Sequence, residues 1–135
     1  MNEYQALQFE ECKAQIAAYC RFSLARELLT KQMPSFSYLW IKQETKRTKE
    51  AISCVIRYGM LPLPGLFDIT DALADACKDK MLRPYDLNRI AQQVNCIGAV
   101  AHYRKQCEVK TPYLDELYDA FTNTDRLANA IAACI

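Results

Sequence analysis

The chain is poor in the residues that build nucleotide and metal sites. It has three glycines, one histidine and five prolines among 135 residues. Three glycines do not make a phosphate cradle, and neither Gly-x-Gly-x-x-Gly nor Gly-x-x-x-x-Gly-Lys-Ser/Thr occurs. One histidine excludes His-Glu-x-x-His, and without any Cys-x-x-Cys there is no zinc-site spacing. A charge surplus is also missing: 17 basic against 16 acidic residues give +1, so bulk attraction to nucleic acid or an anionic membrane is excluded. No apolar run approaches the ~20 residues of a membrane span. The start, Met-Asn-Glu-Tyr-Gln, has neither the basic nor the apolar region of a secretory signal, which makes the cytoplasm the expected location. Strand-period runs, internal repeats and low-complexity tracts are absent as well.

What remains is a helical pattern in a chain that is 51% hydrophobic. The length predicts a single helical domain over 1–135, able to bury about two thirds of its unfolded surface. The seven cysteines (Cys12, Cys20, Cys54, Cys77, Cys96, Cys107 and Cys134) are odd in number and evenly spread. They read as reduced thiols, most of them small core hydrophobes beside helical stripes.

Phe9, Cys12, Ile16, Tyr19 and Cys20 recur at helical spacing and predict a first amphipathic helix. Leu24, Leu28 and Leu29 predict a short second one that stops before Met33-Pro34, because a residue preceding proline is pushed out of helical conformation. Ser35 is the expected cap of a long rod ending near Tyr58, roughly 35 Å at about 1.5 Å per residue. Its expected inner face is Ile41, Thr45, Thr48, Ile52 and Val55, with Lys42, Lys46, Lys49 and Glu50 mostly outside. Pro84 starts the other long rod, with a stripe of Leu87, Ile90, Ala91, Val94, Ile97 and Ala101, and Gly98 inside it. Thr111-Pro112 reads as a cap and first turn for a helix carrying Leu114, Leu117, Tyr118 and Phe121. Asn123 or Thr124 starts the last helix, whose expected face is Leu127, Ile131 and Cys134. It reaches Ile135 without any stop signal, so a fragment of a longer protein is expected.

Two glycines and two prolines fall within Gly59 to Gly65. Gly59 predicts a left-handed helix cap, Pro62 and Pro64 an extended bridge, Gly65 a turn, and Asp68 the cap of a helix carrying Ile69, Leu73, Ala76 and Cys77 and ending near Lys80. These residues form a structural elbow. The fold expected is all-α: an antiparallel bundle of about six to seven helices with two long rods joined through that elbow.

Candidate chemistry is sparse. His102 lies six residues from Cys96 and five from Cys107, which does not place either beside it on one helix, and it reads as a helix-surface or partly buried side chain. Glu10-Glu11 and Asp115-Glu116 are adjacent pairs that diverge by about 100° on a helix and read as solvated surface. No catalytic residue and no metal ligand is assigned. Lys42, Lys46, Arg47 and Lys49 form the densest basic cluster. They are candidates for nucleic-acid contact, against the reading of a solvated helix face with a Lys46–Glu50 ion pair.

Several motifs occur in a familiar order. They are Leu7-Gln8-Phe9-Glu10 with Ile16 and Tyr19; Pro34 and, fourteen residues on, Thr48-x-Glu50-Ala51; Gly59-Met60-Leu61-Pro62-Leu63-Pro64-Gly65 with Asp68-Ile69; Leu82-x-Pro84-x-Asp86-Leu87; Tyr113-Leu114-x-Glu116-Leu117; and Ile131. Together they resemble the amino-terminal helical core and lever region of the second bacterial MutS family, the branch that usually carries an Smr nuclease domain. Lys78-Asp79-Lys80 departs from the pattern, standing where the family often has glycines, and Lys49 replaces a commoner acidic residue.

The resemblance implies a non-catalytic segment of a dimeric DNA-binding ATPase linked to recombination suppression, DNA repair or ribosome rescue. Its partners would be the remaining domains of the parent and, through the parent, DNA or the ribosome. ATP and Mg would bind the parent outside these residues, and no cofactor is expected in this chain. The competing reading is a free-standing all-helical protein-interaction module; a small thiol enzyme is disfavoured by the lack of a Cys/His pair.

Overall fold

A computed structural model of the protein describes residues 3–122 and 124–134. The expected helix start at Asn123 and the last residue, Ile135, lie outside the described residues. Eight helices occur among the described residues: α1 (Glu3–Ala6), α2 (Phe9–Ala17), α3 (Ser23–Lys31), α4 (Tyr38–Tyr58), α5 (Thr70–Ala76), α6 (Pro84–Gln106), α7 (Pro112–Tyr118) and α8 (Asp125–Cys134). The fold is an all-α bundle, as the periodicity predicts. The added element is α1, a single turn too short to show a period. The two rods, α4 with 21 residues and α6 with 23, are about 32 and 35 Å long.

Local chemistry sets the boundaries. α4 is capped by Ser37, whose Oγ accepts the Trp40 N–H at 3.4 Å. The expected cap, Ser35, instead accepts the Ser37 N–H at 3.2 Å and shapes the approach to the helix. Pro84 does occupy the first turn of α6. Asp68 accepts the Thr70 N–H at 3.0 Å, but Ile69 holds the cap position, so Asp68 is a turn residue one place before the cap and the helix begins one residue later than predicted. Those hydrogen bonds to Thr70 hold the Asp68 carboxyl below its ordinary value. Asp79 has φ 55, the left-handed conformation that glycine favours. The turn at the glycine departure therefore survives with an aspartate, a residue type that tolerates this conformation.

α6 is the hub. α8 packs along it, burying Ala128 and Ile131. That face is rotated from the predicted one, because Leu127 and Cys134 are exposed. Ile90 and Val94 of the predicted α6 stripe are buried, but Cys96, Val100 and Tyr103 form a second buried face that the single-stripe reading omitted. α7 packs against α4, and α2 pairs with α3. The rods meet at their C-terminal ends, where Cys54, Tyr103 and Cys107 form a buried cluster with Tyr58, Leu61 and Leu114 packed on it.

The α2–α3 hairpin is held by a group that hydropathy cannot find. Lys13 is 7% exposed and donates to the carbonyls of Thr30 at 2.9 Å and Gln32 at 3.3 Å, filling acceptors left open where α3 ends. Glu10 lies 2.9 Å from its ammonium, and the Phe9 ring 5.0 Å from it. The predicted stripe fails here: Tyr19 and Ile16 are exposed, and Tyr19 lies beyond the helix. Of the seven cysteines, Cys54, Cys96 and Cys107 are buried, whereas Cys12, Cys77 and Cys134 are exposed and Cys20 is half-buried. The reading of most cysteines as core hydrophobes thus holds for three.

Candidate functional site

The Pro/Gly elbow is a strap laid along α6. Gly59 ends α4 with φ 82 and ψ −175, a region essentially restricted to glycine, and its N–H still bonds Val55 O at 2.9 Å. The positive φ is as predicted, although ψ is extended rather than left-handed helical. The Tyr103 hydroxyl donates to Gly59 O at 2.8 Å, and Cys96 Sγ lies 3.5 Å from Pro62 O. At Gly65, where φ is +83, a Cβ would lie 3.5 Å from Gln92 Cβ. The Phe67 N–H donates to Gln93 Oε1 at 3.0 Å, and the Arg89 guanidinium stacks 5.0 Å from the Phe67 ring. From Gly59 to Phe67 the strap thus descends α6 from Tyr103 toward Arg89, antiparallel to the helix. Pro62 and Pro64 suit this path because side chains, not a backbone ladder, hold it.

The four basic candidates on α4 split into two pairs. Lys42 and Lys49 are exposed; Lys42 Nζ lies 5.7 Å from the Tyr38 ring. Lys46 and Arg47 turn toward α7. Lys46 Nζ donates to the Tyr113 hydroxyl at 2.7 Å and sits 4.8 Å from its ring. Arg47 reaches Tyr113 O at 3.2 Å, Glu116 at 2.6 Å and Glu44 at 2.5 Å. The hydrogen bond to Glu116, together with the Glu44 charge, raises the Arg47 pKa further above its ordinary value.

Glu50 completes this clasp. Its carboxylate accepts the N–H groups of Tyr113 at 3.1 Å and Leu114 at 2.9 Å, open donors of the first turn of α7. The N-cap is therefore supplied by α4 and not by Thr111, whose hydroxyl donates to Asp115 at 3.1 Å. The predicted Lys46–Glu50 pair gives way to these bonds across helices. Asp115 and Glu116 are likewise committed: Arg104 donates to Asp115 at 2.7 Å, and Glu116 meets Arg47 and Gln43. Both were read as solvated surface. An acidic pair and a basic cluster on separate helices were visible in the sequence, but their mutual distance was not.

The α4 face expected to be inward is open. Ile41 and Ile52 are 43% and 53% exposed, because α7 covers the opposite face through Lys46, Arg47, Glu50 and Cys54. Next to Val55 lies an apolar groove of about 510 Å³, lined by Met60, Leu63, Ile97, Leu117 and Phe121 among others. His102 is exposed and touches Gln106 at 3.0 Å. Burial pushes the thiols of Cys54 and Cys96 upward, so both stay protonated. Among the described residues no cluster of three metal-ligating side chains occurs, and no helix is long and apolar enough to cross a membrane.

A clasped, strapped, all-helical unit carrying these motifs can be set beside known proteins. No family model matches the chain. Endonuclease MutS2 of Clostridium novyi (strain NT) is 27% identical over 139 aligned residues, covering 100% of this chain and 18% of that protein. Endonuclease MutS2 of Clostridium acetobutylicum is 28% identical over 115 residues, 84% of this chain and 15% of that protein. The chain is similar to the MutS2 family along its whole length. Putative endonuclease MutS2 of Bacillus subtilis (strain 168) adds 27% identity over 133 residues, 96% of this chain and 17% of that protein. The chain thus spans less than a fifth of the length of these MutS2 relatives.

Proposed function

We propose that this chain is the non-catalytic helical core and lever segment of a MutS2-like DNA-binding ATPase. Whole-length similarity to a small part of much longer relatives carries the reading. The architecture supports a mechanical role. Two rods end in one buried cluster, a strap runs from the end of one along the other, and α7 is clasped to α4 by charge. A displacement applied to α4 is passed to α6 through Gly59 and Tyr103, and to α7 through Glu50 and Arg47. In the parent, nucleotide state would act on one end of this unit and the grip on nucleic acid on the other, with Lys42 and Lys49 free to meet phosphate.

The isolated chain is expected to hydrolyse no ATP and to bind duplex DNA weakly at most, with affinity falling steeply as salt rises. Measured turnover of ATP, or tight DNA binding that persists at high salt, would contradict this. A second reading, a free-standing protein-interaction module, is favoured by the open α4 face and its adjoining groove. The downstream gene sequence separates the two. A phosphate-loop motif a few hundred codons on supports the ATPase segment; a natural stop codon after Ile135 supports the module.

A further inference from the structure

The buried cluster where the rods meet holds two thiols from different helices. Cys54 lies in the last turns of α4 and Cys107 caps α6; they are 4% and 6% exposed. With Tyr103 they make the heart of the cluster. Hydrogen bonds on either side fix the two ends against each other. Glu50, Cys54 and Tyr58 recur at steps of four and share one face of α4. Glu50 accepts the Leu114 N–H at 2.9 Å, and the Tyr58 hydroxyl accepts the N–H of Glu108, the neighbour of Cys107, at 3.0 Å. Between these anchors Cys54 meets Cys107. Burial, then the charge and hydrogen bond of Cys107, push the Cys54 thiol up. Cys96, the third buried cysteine, lies instead against the strap, with Sγ 3.5 Å from Pro62 O.

The two thiols differ in access. Cys54 lines the apolar groove beside Val55. Cys107 lines a different, polar hollow of about 350 Å³ with Arg104, Lys110, Thr111 and Asp115. A small polar oxidant enters such a hollow, whereas the apolar groove offers it few hydrogen bonds in exchange for water. The backbone at Cys107 is also free to adjust. Helical conformation ends there, with φ −77 and ψ 106. A disulfide requires a defined torsion and separation, and a cysteine at a helix end reaches them by turning, without unwinding α6.

We infer that Cys54 and Cys107 form an oxidative modification site, which hydrogen peroxide converts to a disulfide joining the C-terminal ends of α4 and α6. Cys107 reacts first. Its sulfur gives up a proton and attacks one peroxide oxygen; the O–O bond breaks, Cys107 becomes a sulfenic acid, and the other oxygen leaves with that proton as water. The Cys54 sulfur then displaces the sulfenic hydroxyl. The S–S bond forms, the S–O bond breaks, and the hydroxyl departs with the Cys54 proton as a second water. Two thiols lose two electrons and one peroxide gains them. A thiol reductant reverses the change by exchange. The link closes a covalent loop over residues 54–107, which contains the strap and α6, and makes the junction of the rods covalent. It goes beyond the proposed function, since neither ATP turnover nor nucleic acid enters it.

The test treats the reduced, dilute chain with hydrogen peroxide, alkylates the remaining thiols and maps the peptides by mass spectrometry. The expected product is a Cys54–Cys107 link within one chain. Its thermal midpoint should stand about 10 °C above that of the reduced chain, the gain for closing a loop of this length, and dithiothreitol should return it. Cys54→Ala should stop the reaction halfway, leaving a Cys107 sulfenic acid that dimedone captures. Cys107→Ser should leave Cys54 unmodified. Circular dichroism checks that both variants fold, and the mapping of the unmutated chain decides the matter if either does not. Oxidation confined to the exposed cysteines, with Cys54 and Cys107 still reduced, would overturn the inference. So would a Cys54–Cys107 link no commoner among the products than in chain oxidised in urea, or one that lowers the midpoint.

Discussion

Glu50 sits within α4 yet caps a different helix. Its carboxylate takes two backbone N–H groups of α7 and places negative charge at the positive end of that helix dipole. Glu50→Ala should cost about 1–2 kcal/mol in urea denaturation, the range for a lost helix cap, and Glu50→Gln less, since it keeps an acceptor. Tyr103 offers a second test. Burial, then the neighbouring thiols of Cys107 and Cys54, push its phenol from 10.0 up to about 12. The folded chain keeps that proton after the unfolded chain has released it, so the contribution is complete below about pH 10 and lost as pH rises toward about 12. Stability measured by denaturation at stepped pH should fall through that window. Tyr103→Phe should flatten the fall while lowering stability at neutral pH, since the bond to Gly59 O is lost. The residues that hold the molecule together were the least legible part of the sequence. Lys13, Glu50 and Arg47 look like surface charges, because hydropathy carries no record of which carbonyl or N–H lies within reach.

At the scale of elements, seven helices were readable, with ends shifted by a few residues. Proline at the start of α6 and α7, and glycine at the end of α4, act through backbone geometry that any context preserves. Faces were less readable. The stripe on α4 is real as a pattern, and of the predicted α6 stripe Ile90 and Val94 are buried. On α4, α7 chose the polar face, where Glu50, Lys46 and Arg47 match its N-terminus and Glu116. A stripe says that apolar surface exists, not that this chain covers it. On α8 the buried face shifted by one residue, toward the small Ala128, whose size lets the helix approach α6. Gly98 of α6 sits at that junction. An added Cβ would lie 3.6 Å from Asp125 Oδ1, an ordinary contact. Gly98→Ala should therefore raise stability by about 0.5–1 kcal/mol through helix propensity alone, read as an increase in denaturation midpoint at unchanged slope. A loss would mean that α8 approaches more closely than the contact implies.

Across the whole molecule, the all-α class and the order of elements followed from composition and periodicity, whereas the hub did not. α6 is buried on two faces, one under α8 and one under the strap and the end of α4. A single hydrophobic period describes one face well and blurs two. The elbow was legible as punctuation, and its length matches its job: from Gly59 to Phe67 an extended chain covers roughly 25 Å at about 3.1 Å per residue. Helix residues 89 to 103 rise about 21 Å. The central claim is that strap, cluster and clasp make α4, α6 and α7 one unit able to transmit displacement. Native-state hydrogen exchange with increasing denaturant measures this directly. The account predicts that amides in the C-terminal half of α4, in α6 and in α7 converge on one opening free energy, and that Glu50→Ala lowers it for all three together. If α4 and α6 opened at separate free energies, and Glu50→Ala affected α7 alone, the rods would be independent and the lever account contradicted.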